Sequence, residues 1–197
     1  MAPSTEKDIQ GNKQHLLKRH VAGDTNAFPQ LVGLFRARVY SYLSRCGINA
    51  QTRDDIFQEV FIKIHIAAAT YNSDLPLDPW VFTIVANTVR THYRKERVRE
   101  MVKEDQYVQE HEALDNTQQD ILEAAQTARW LNKAIQTLPF QQRETLALCS
   151  LENMSHSEAA TALNIPVNTV KTNLRRARMS LAKLLTRRMA IEHSEVI

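Results

Sequence analysis

From Lys171 to Arg188 the chain carries seven cations, Lys171, Arg175, Arg176, Arg178, Lys183, Arg187 and Arg188, and no acid. A solvated helix mixes signs, whereas a one-sign run calls for a polyanion. The pattern around it suits DNA. Ser155 and Glu158 have the S-x-x-E spacing of a capping box, in which each side chain satisfies a backbone N–H of the first turn. Ala159, Ala160, Ala162 and Leu163 supply a small-residue apolar face, and Asn164 tolerates the left-handed conformation that ends a helix. Pro166 fits the start of a second helix, along which Val167, Val170, Leu174, Ala177 and Leu181 recur at steps of three and four. The result is a helix-turn-helix whose second helix suits the major groove, with Lys171, Thr172, Arg175, Arg176 and Arg178 mainly on its other faces.

A second cationic stretch lies upstream. Arg90, Arg94, Lys95, Arg97 and Arg99 face Glu96 alone, and Tyr71, Trp80, His92 and Tyr93 flank them. Aromatic rings beside a cationic track suit a single-stranded nucleic acid, whose unpaired bases expose stackable faces. Trp80 and Tyr93 also match an apolar helical stripe, which leaves Tyr71, Asn87 and His92 as the better candidates for contact.

The spacings that carry catalysis are absent: no phosphate-binding glycine loop, no H-E-x-x-H and no nucleophile elbow. Asp54, Asp55 and Glu59 have no basic partner nearby and read as a helix start or a protein-binding surface. No catalytic residue, metal site or cofactor is expected. Cys46 and Cys149 sit in apolar helical patterns without metal or redox spacing and read as reduced core thiols. No apolar run approaches a membrane span and the first residues lack a signal-peptide core, so a cytoplasmic protein without membrane insertion is expected.

The elements that must position these residues are helical. Hydrophobic residues make up 43% of the chain, glycine is rare at four residues, and apolar positions keep the helical period, which together predict an all-α protein. Residues 1–13 read as loose, with a helix beginning near Gln14. Phe28 to Leu43 and the stretch from Thr52 to about Thr70 carry apolar stripes, and a two-proline loop over 71–79 precedes a helix opening at Trp80. From Glu100 to Glu123 the sign flips, with eight acids against Lys103, which reads as a partly disordered strap. Two small helical domains, 14–99 and 127–188, joined by an acidic flexible linker over 100–126, are the expected organisation. About 25 extended residues span at most roughly 80 Å.

With these residues in place, the chain resembles a bacterial RNA polymerase sigma factor of the extracytoplasmic-function group. Gly23 to Phe28 with the stripe behind it, Asp55 to Lys63, Trp80 to Asn87, and Leu138-Pro139 through the helix-turn-helix with Asn168 to Lys171 are each similar to a family segment, in the family's order. The resemblance implies binding to core RNA polymerase through Asp55, Ile56, Gln58, Glu59, Phe61 and Lys63. It implies melting of the element near the start site and capture of a flipped base by Tyr71, Trp80, Asn87, Arg90, His92, Arg94 and Lys95. Duplex reading of the upstream element would fall to Thr169, Lys171, Thr172, Asn173, Arg175, Arg176 and Arg178. Promoter DNA, duplex and single-stranded, core polymerase and an anti-sigma factor are the implied partners, and the linker is implied to thread the polymerase channel that later carries RNA. Leu77 stands where the family usually has an aromatic, and Thr91 where an acid is common. A helix-turn-helix regulator would explain the second half but not the basic helix over 80–99. An adaptor without DNA would leave the cations of 171–188 unexplained.

Overall fold

The computed structural model describes residues 6–102 and 119–194, with side chains over 11–99 and 127–189. Among the described residues there are only helices and turns. The first unit holds α1 (Glu6–Val21), α2 (Ala27–Arg45), α3 (Ala50–Ala67) with a 3-10 turn over Ala68–Thr70, and α4 (Leu77–Val102). The second holds α5 (Gln119–Gln136), α6 (Phe140–Ser150), α7 (His156–Leu163) and α8 (Val167–Ser194).

In α2, Leu31, Phe35, Val39 and Leu43 repeat every four residues and are all buried, the one-sided stripe that seats a helix on a core. Asn49 caps α3, its side-chain oxygen accepting from the Thr52 N–H at 2.9 Å. Helix α4 starts earlier than Trp80 because Leu77 is fully buried and anchors its first turn, where Pro79 needs no N–H. Helix α1 also starts earlier than the apolar pattern suggests. Lys13 belongs to it and is buried, its ammonium donating to both oxygens of Asp78 at 3.0 and 2.9 Å.

The linker expected over 100–126 falls mainly on residues 103–118, which lie outside the described residues. Its two ends are helical backbone, the last turn of α4 and the first turns of α5.

Pro139 separates α5 from α6. The helix-turn-helix forms as its residues require. Ser155 N–H donates to Glu158 Oε2 at 2.8 Å and Glu158 N–H to Ser155 Oγ at 3.2 Å, so both halves of the capping box are made. Asn164 closes α7 at φ 50°, ψ 51°. Ser155→Ala should lower the unfolding free energy by about 1 kcal/mol. Urea titration checks this, and an unchanged midpoint would remove the box as a stabiliser.

The two units lie against each other, α4 along α7 and α2 along α6. A continuous apolar core runs from Leu31, Phe35 and Val89 into Ala147, Leu148, Ala160 and Leu163. A smaller cluster of Ile135, Leu138, Leu146, Leu174 and Ala177 holds α5, α6 and α8 together. Cys46 is buried and Cys149 half-buried, both as free thiols. Burial pushes the Cys46 thiol up to about 12, which keeps it protonated and inert. No helix among the described residues is long and apolar enough to cross a membrane.

Candidate nucleic-acid interface and partner surface

Helix α8 divides its residues by face. Val170, Leu174 and Ala177 are buried, while Lys171, Thr172, Arg175, Arg176 and Arg178 are exposed and Thr169 is half-buried. The Thr172 hydroxyl donates to the Asn168 carbonyl at 2.8 Å, which orients its lone pairs outward. Asn173 departs from the expected duplex-reading set. It lies three residues after Val170 and beside Leu174, on the edge of the inner stripe, and its side chain is buried with no hydrogen-bond partner for Nδ2 among the described residues. The exposed cations therefore form a face free of acids, seated on a fixed helix.

The second cationic stretch is partly covered. Asn87, Arg94 and Lys95 are exposed on α4, and Thr91 is half-buried between them with its hydroxyl donating to the Asn87 carbonyl at 2.9 Å. Tyr71 lies at the loop before α4 with its ring 5.0 Å from that of Trp80. Its hydroxyl donates to the Leu75 carbonyl and accepts from Gln14 Nε2 at 3.1 Å, so Tyr71 ties the loop to α1. Trp80 and His92 are half-buried.

Arg90 is engaged by the second unit. Its Nε and Nη2 donate to the two oxygens of Glu144 at 2.8 and 2.6 Å, and Nη1 donates to the Leu163 carbonyl at the end of α7. One turn on, Tyr93 stacks on Phe140 with centroids 4.1 Å apart and planes 10° from parallel. A second ionic bridge joins the units at Arg38, which donates to Asp78 Oδ2 at 2.8 Å and to Glu152 Oε2 at 2.7 Å. Burial pushes the Glu144 and Glu152 carboxyls up, against the opposing pull of Arg90 and Arg38. Desolvation of these carboxylates thus outweighs the attraction of their partners, the usual balance for buried ion pairs.

Helix α3 offers the remaining surface. Asp55, Gln58 and Glu59 are exposed, and half-buried Lys63 pairs with Glu59 at 2.6 Å, giving that carboxylate the basic partner the sequence did not lead us to expect, and donates to the Thr88 hydroxyl on α4 at 3.1 Å. Ile56 and Phe61 depart from the expected partner-binding set, for both lie in the core at 2% and 6% exposure. They belong to the inner stripe with Val60 and Ile64. Pattern reading missed Ile62 and Ile66, which are 59% and 72% exposed. Their signal was present in the spacing: with Gln58 and Glu59 they recur at three and four residues on the face away from the core.

Residues 31–99 match the family described as sigma-70 region 2, and residues 128–181 match the one described as sigma-70 region 4. The RNA polymerase sigma factor NccH of Alcaligenes xylosoxydans xylosoxydans is 31% identical over 176 residues, which cover 86% of this chain and 92% of NccH. The ECF (extracytoplasmic-function) RNA polymerase sigma factor SigM of Mycobacterium tuberculosis is 28% identical over 171 residues, which cover 86% of this chain and 83% of SigM. Among solved structures, the sigma factor RpoE of Bartonella quintana, in complex with the anti-sigma factor NepR, superposes with a TM-score of 0.67 at 25% identity, covering 81% of this chain and 96% of that one.

Proposed function

We propose how polymerase and promoter divide over a chain that belongs to the extracytoplasmic-function group of RNA polymerase sigma factors. As a sigma factor it binds core RNA polymerase and directs promoter recognition, DNA melting and transcription initiation. The exposed edge of α3, Asp55, Gln58 and Glu59 with Ile62 and Ile66, is the polymerase-binding surface, an apolar centre with a charged rim. Asn87, with Arg94 and Lys95 two turns on, receives the non-template strand. Lys171, Thr172, Arg175, Arg176 and Arg178 face the upstream duplex. Domains 14–99 and 127–188 are thereby two grips on one promoter, and the acidic linker over 100–126 threads the polymerase channel between them.

The chain performs no chemistry of its own and acts in the cytoplasm, where the polymerase works. An anti-sigma factor restrains it, as NepR binds RpoE, and its regulon responds to stress or an external signal. The observation that carries this reading is the division of α8, whose cations point outward above a buried stripe inside a completed helix-turn-helix.

Transcription with purified core polymerase tests it. The protein should yield promoter-dependent transcripts from a cognate promoter library and permanganate-reactive thymines near the start site. Asn87→Ala should lower open-complex formation by about tenfold, within the roughly 1–3 kcal/mol of one base-reading contact, with upstream duplex protection intact. Absence of initiation on every promoter of the library rejects the function. Undiminished melting by Asn87→Ala removes that residue from the strand site.

A further inference from the structure

We propose that His20 and His65 form a chelating site for a divalent transition-metal cation of right-angled geometry, nickel(II) or copper(II), which fastens the end of α1 to the end of α3. The site is independent of how polymerase and promoter divide over the chain.

The fold makes the pair. No metal spacing marks it in the sequence, for the two histidines stand 45 positions apart, yet His20 Nε2 lies 3.0 Å from His65 Nδ1. Two imidazoles bound to one metal at about 2.0–2.1 Å each lie about 2.8–3.0 Å apart at right angles and about 3.3–3.4 Å apart at the tetrahedral angle. The observed separation matches the right-angled case, the arrangement that copper(II) and nickel(II) prefer. In the hydrogen-bonded pair one ring donates its N–H to the other. Moving that proton to the donor ring's far nitrogen frees both facing lone pairs with no net loss of protons. Partial burial, and then the nearness of His65, hold the His20 imidazole below its ordinary value. His20 is therefore neutral at neutral pH, the form that ligates a metal.

The surroundings favour a cation. His20 lies in the last turn of α1 and His65 in the last turn of α3. Each helix ends there in carbonyls that form a negative pole, and two like poles brought together are relieved by a positive charge between them. Arg19, next to His20, is already paired with Asp24 at 2.9 Å. Phe28 backs both rings, its centroid 4.5 Å from that of His20 and 5.5 Å from that of His65, and it meets Phe61 edge-on. This packing limits ring rotation, so the two nitrogens are held in place before a metal arrives. Among the described residues no third His, Cys, Asp or Glu completes the group, so water fills the other positions. His65 is exposed, which leaves the outer side open to that water.

Isothermal titration of the untagged full chain with nickel(II) sulfate tests the site. One nickel should bind per chain. His20→Asn and His65→Asn should each weaken binding at least about tenfold, since loss of even an outer-shell partner costs metal sites about 10–100-fold. His156→Asn, at an exposed histidine on α7, should leave it unchanged. Nickel binds the pair that folding assembles and not the separated residues. It should therefore raise the melting midpoint of the native chain and of His156→Asn, but not that of the double variant His20→Asn with His65→Asn. Copper(II) at one equivalent on the native chain needs no variant, and its electron paramagnetic resonance should show coupling to two imidazole nitrogens. Coupling to one nitrogen or none, nickel binding undiminished in both single variants, or a native midpoint that nickel does not raise overturns the site.

Discussion

Arg90→Ala should lower the unfolding free energy of the full chain by about 3–5 kcal/mol, the cost of leaving a buried charge unpaired. The Glu144 side chain is 1% exposed and both of its oxygens accept from Arg90. Without the guanidinium, both oxygens lose the donors that Arg90 supplies. For a chain of this size the melting midpoint should fall by on the order of 10 °C. Glu144→Gln should be the milder change. Burial already pushes this carboxyl toward its protonated form, so a neutral amide removes a desolvation cost and still offers Arg90 an acceptor. Denaturant titration of the two variants side by side checks the asymmetry. Equal losses, or a loss below about 1 kcal/mol for Arg90→Ala, would show that the pair carries no such weight.

The sign of the pH dependence follows from the same residues. A carboxyl whose folded value is raised binds its proton more tightly in the native state than in the unfolded one. The contributions of Glu144 and Glu152 to stability therefore grow as pH falls through their raised values toward the ordinary carboxylate range.

Ile62→Asp with Ile66→Asp should weaken binding to core polymerase by about 2 kcal/mol or more, at least roughly thirtyfold, as expected for apolar residues at the centre of an interface. Both side chains are largely solvent-exposed, so the fold should hold within about 0.5 kcal/mol. Ile56→Asp makes the contrast, since its side chain is in the core and the same charge there should unfold the first unit. Competition of each variant with native protein for core polymerase is the measurement. Undiminished affinity of the Ile62/Ile66 variant would move the binding surface off this edge of α3.

Local rules explain why much of the fold was legible in the sequence. The stripe of α2, the Ser155–Glu158 box, the left-handed Asn164 and the stripe of α8 each involve residues within a few positions of one another. What was not legible depends on partners far along the chain. Lys13 reads as a solvated residue until Asp78, 65 positions away, is brought beside it. Arg90 reads as a free cation on a basic helix until α6 delivers Glu144. On α3 the apolar stripe was legible, but sequence similarity alone did not separate its inner face, with Ile56 and Phe61, from its outer face, with Ile62 and Ile66. Asn173 shows the same limit on α8, where a polar side chain occupies a position that the packing turns inward.

The seam between the units also has a history in time. Arg90 and Glu144 are separated by 54 residues, and Arg38 and Glu152 by 114. At ribosomal elongation rates of about 5–20 residues per second, the stretch from α4 to α6 takes roughly 3–10 s to make. For that interval the newly emerged first unit has formed, or is forming, with its seam uncovered. Arg38, held by Asp78 of its own unit, and Arg90, hydrated at that stage, place charge beside the apolar surface that Leu148 and Leu163 later cover. The same cations that register the finished seam thus serve, on the nascent chain, as gatekeepers against association of one unfinished first unit with another.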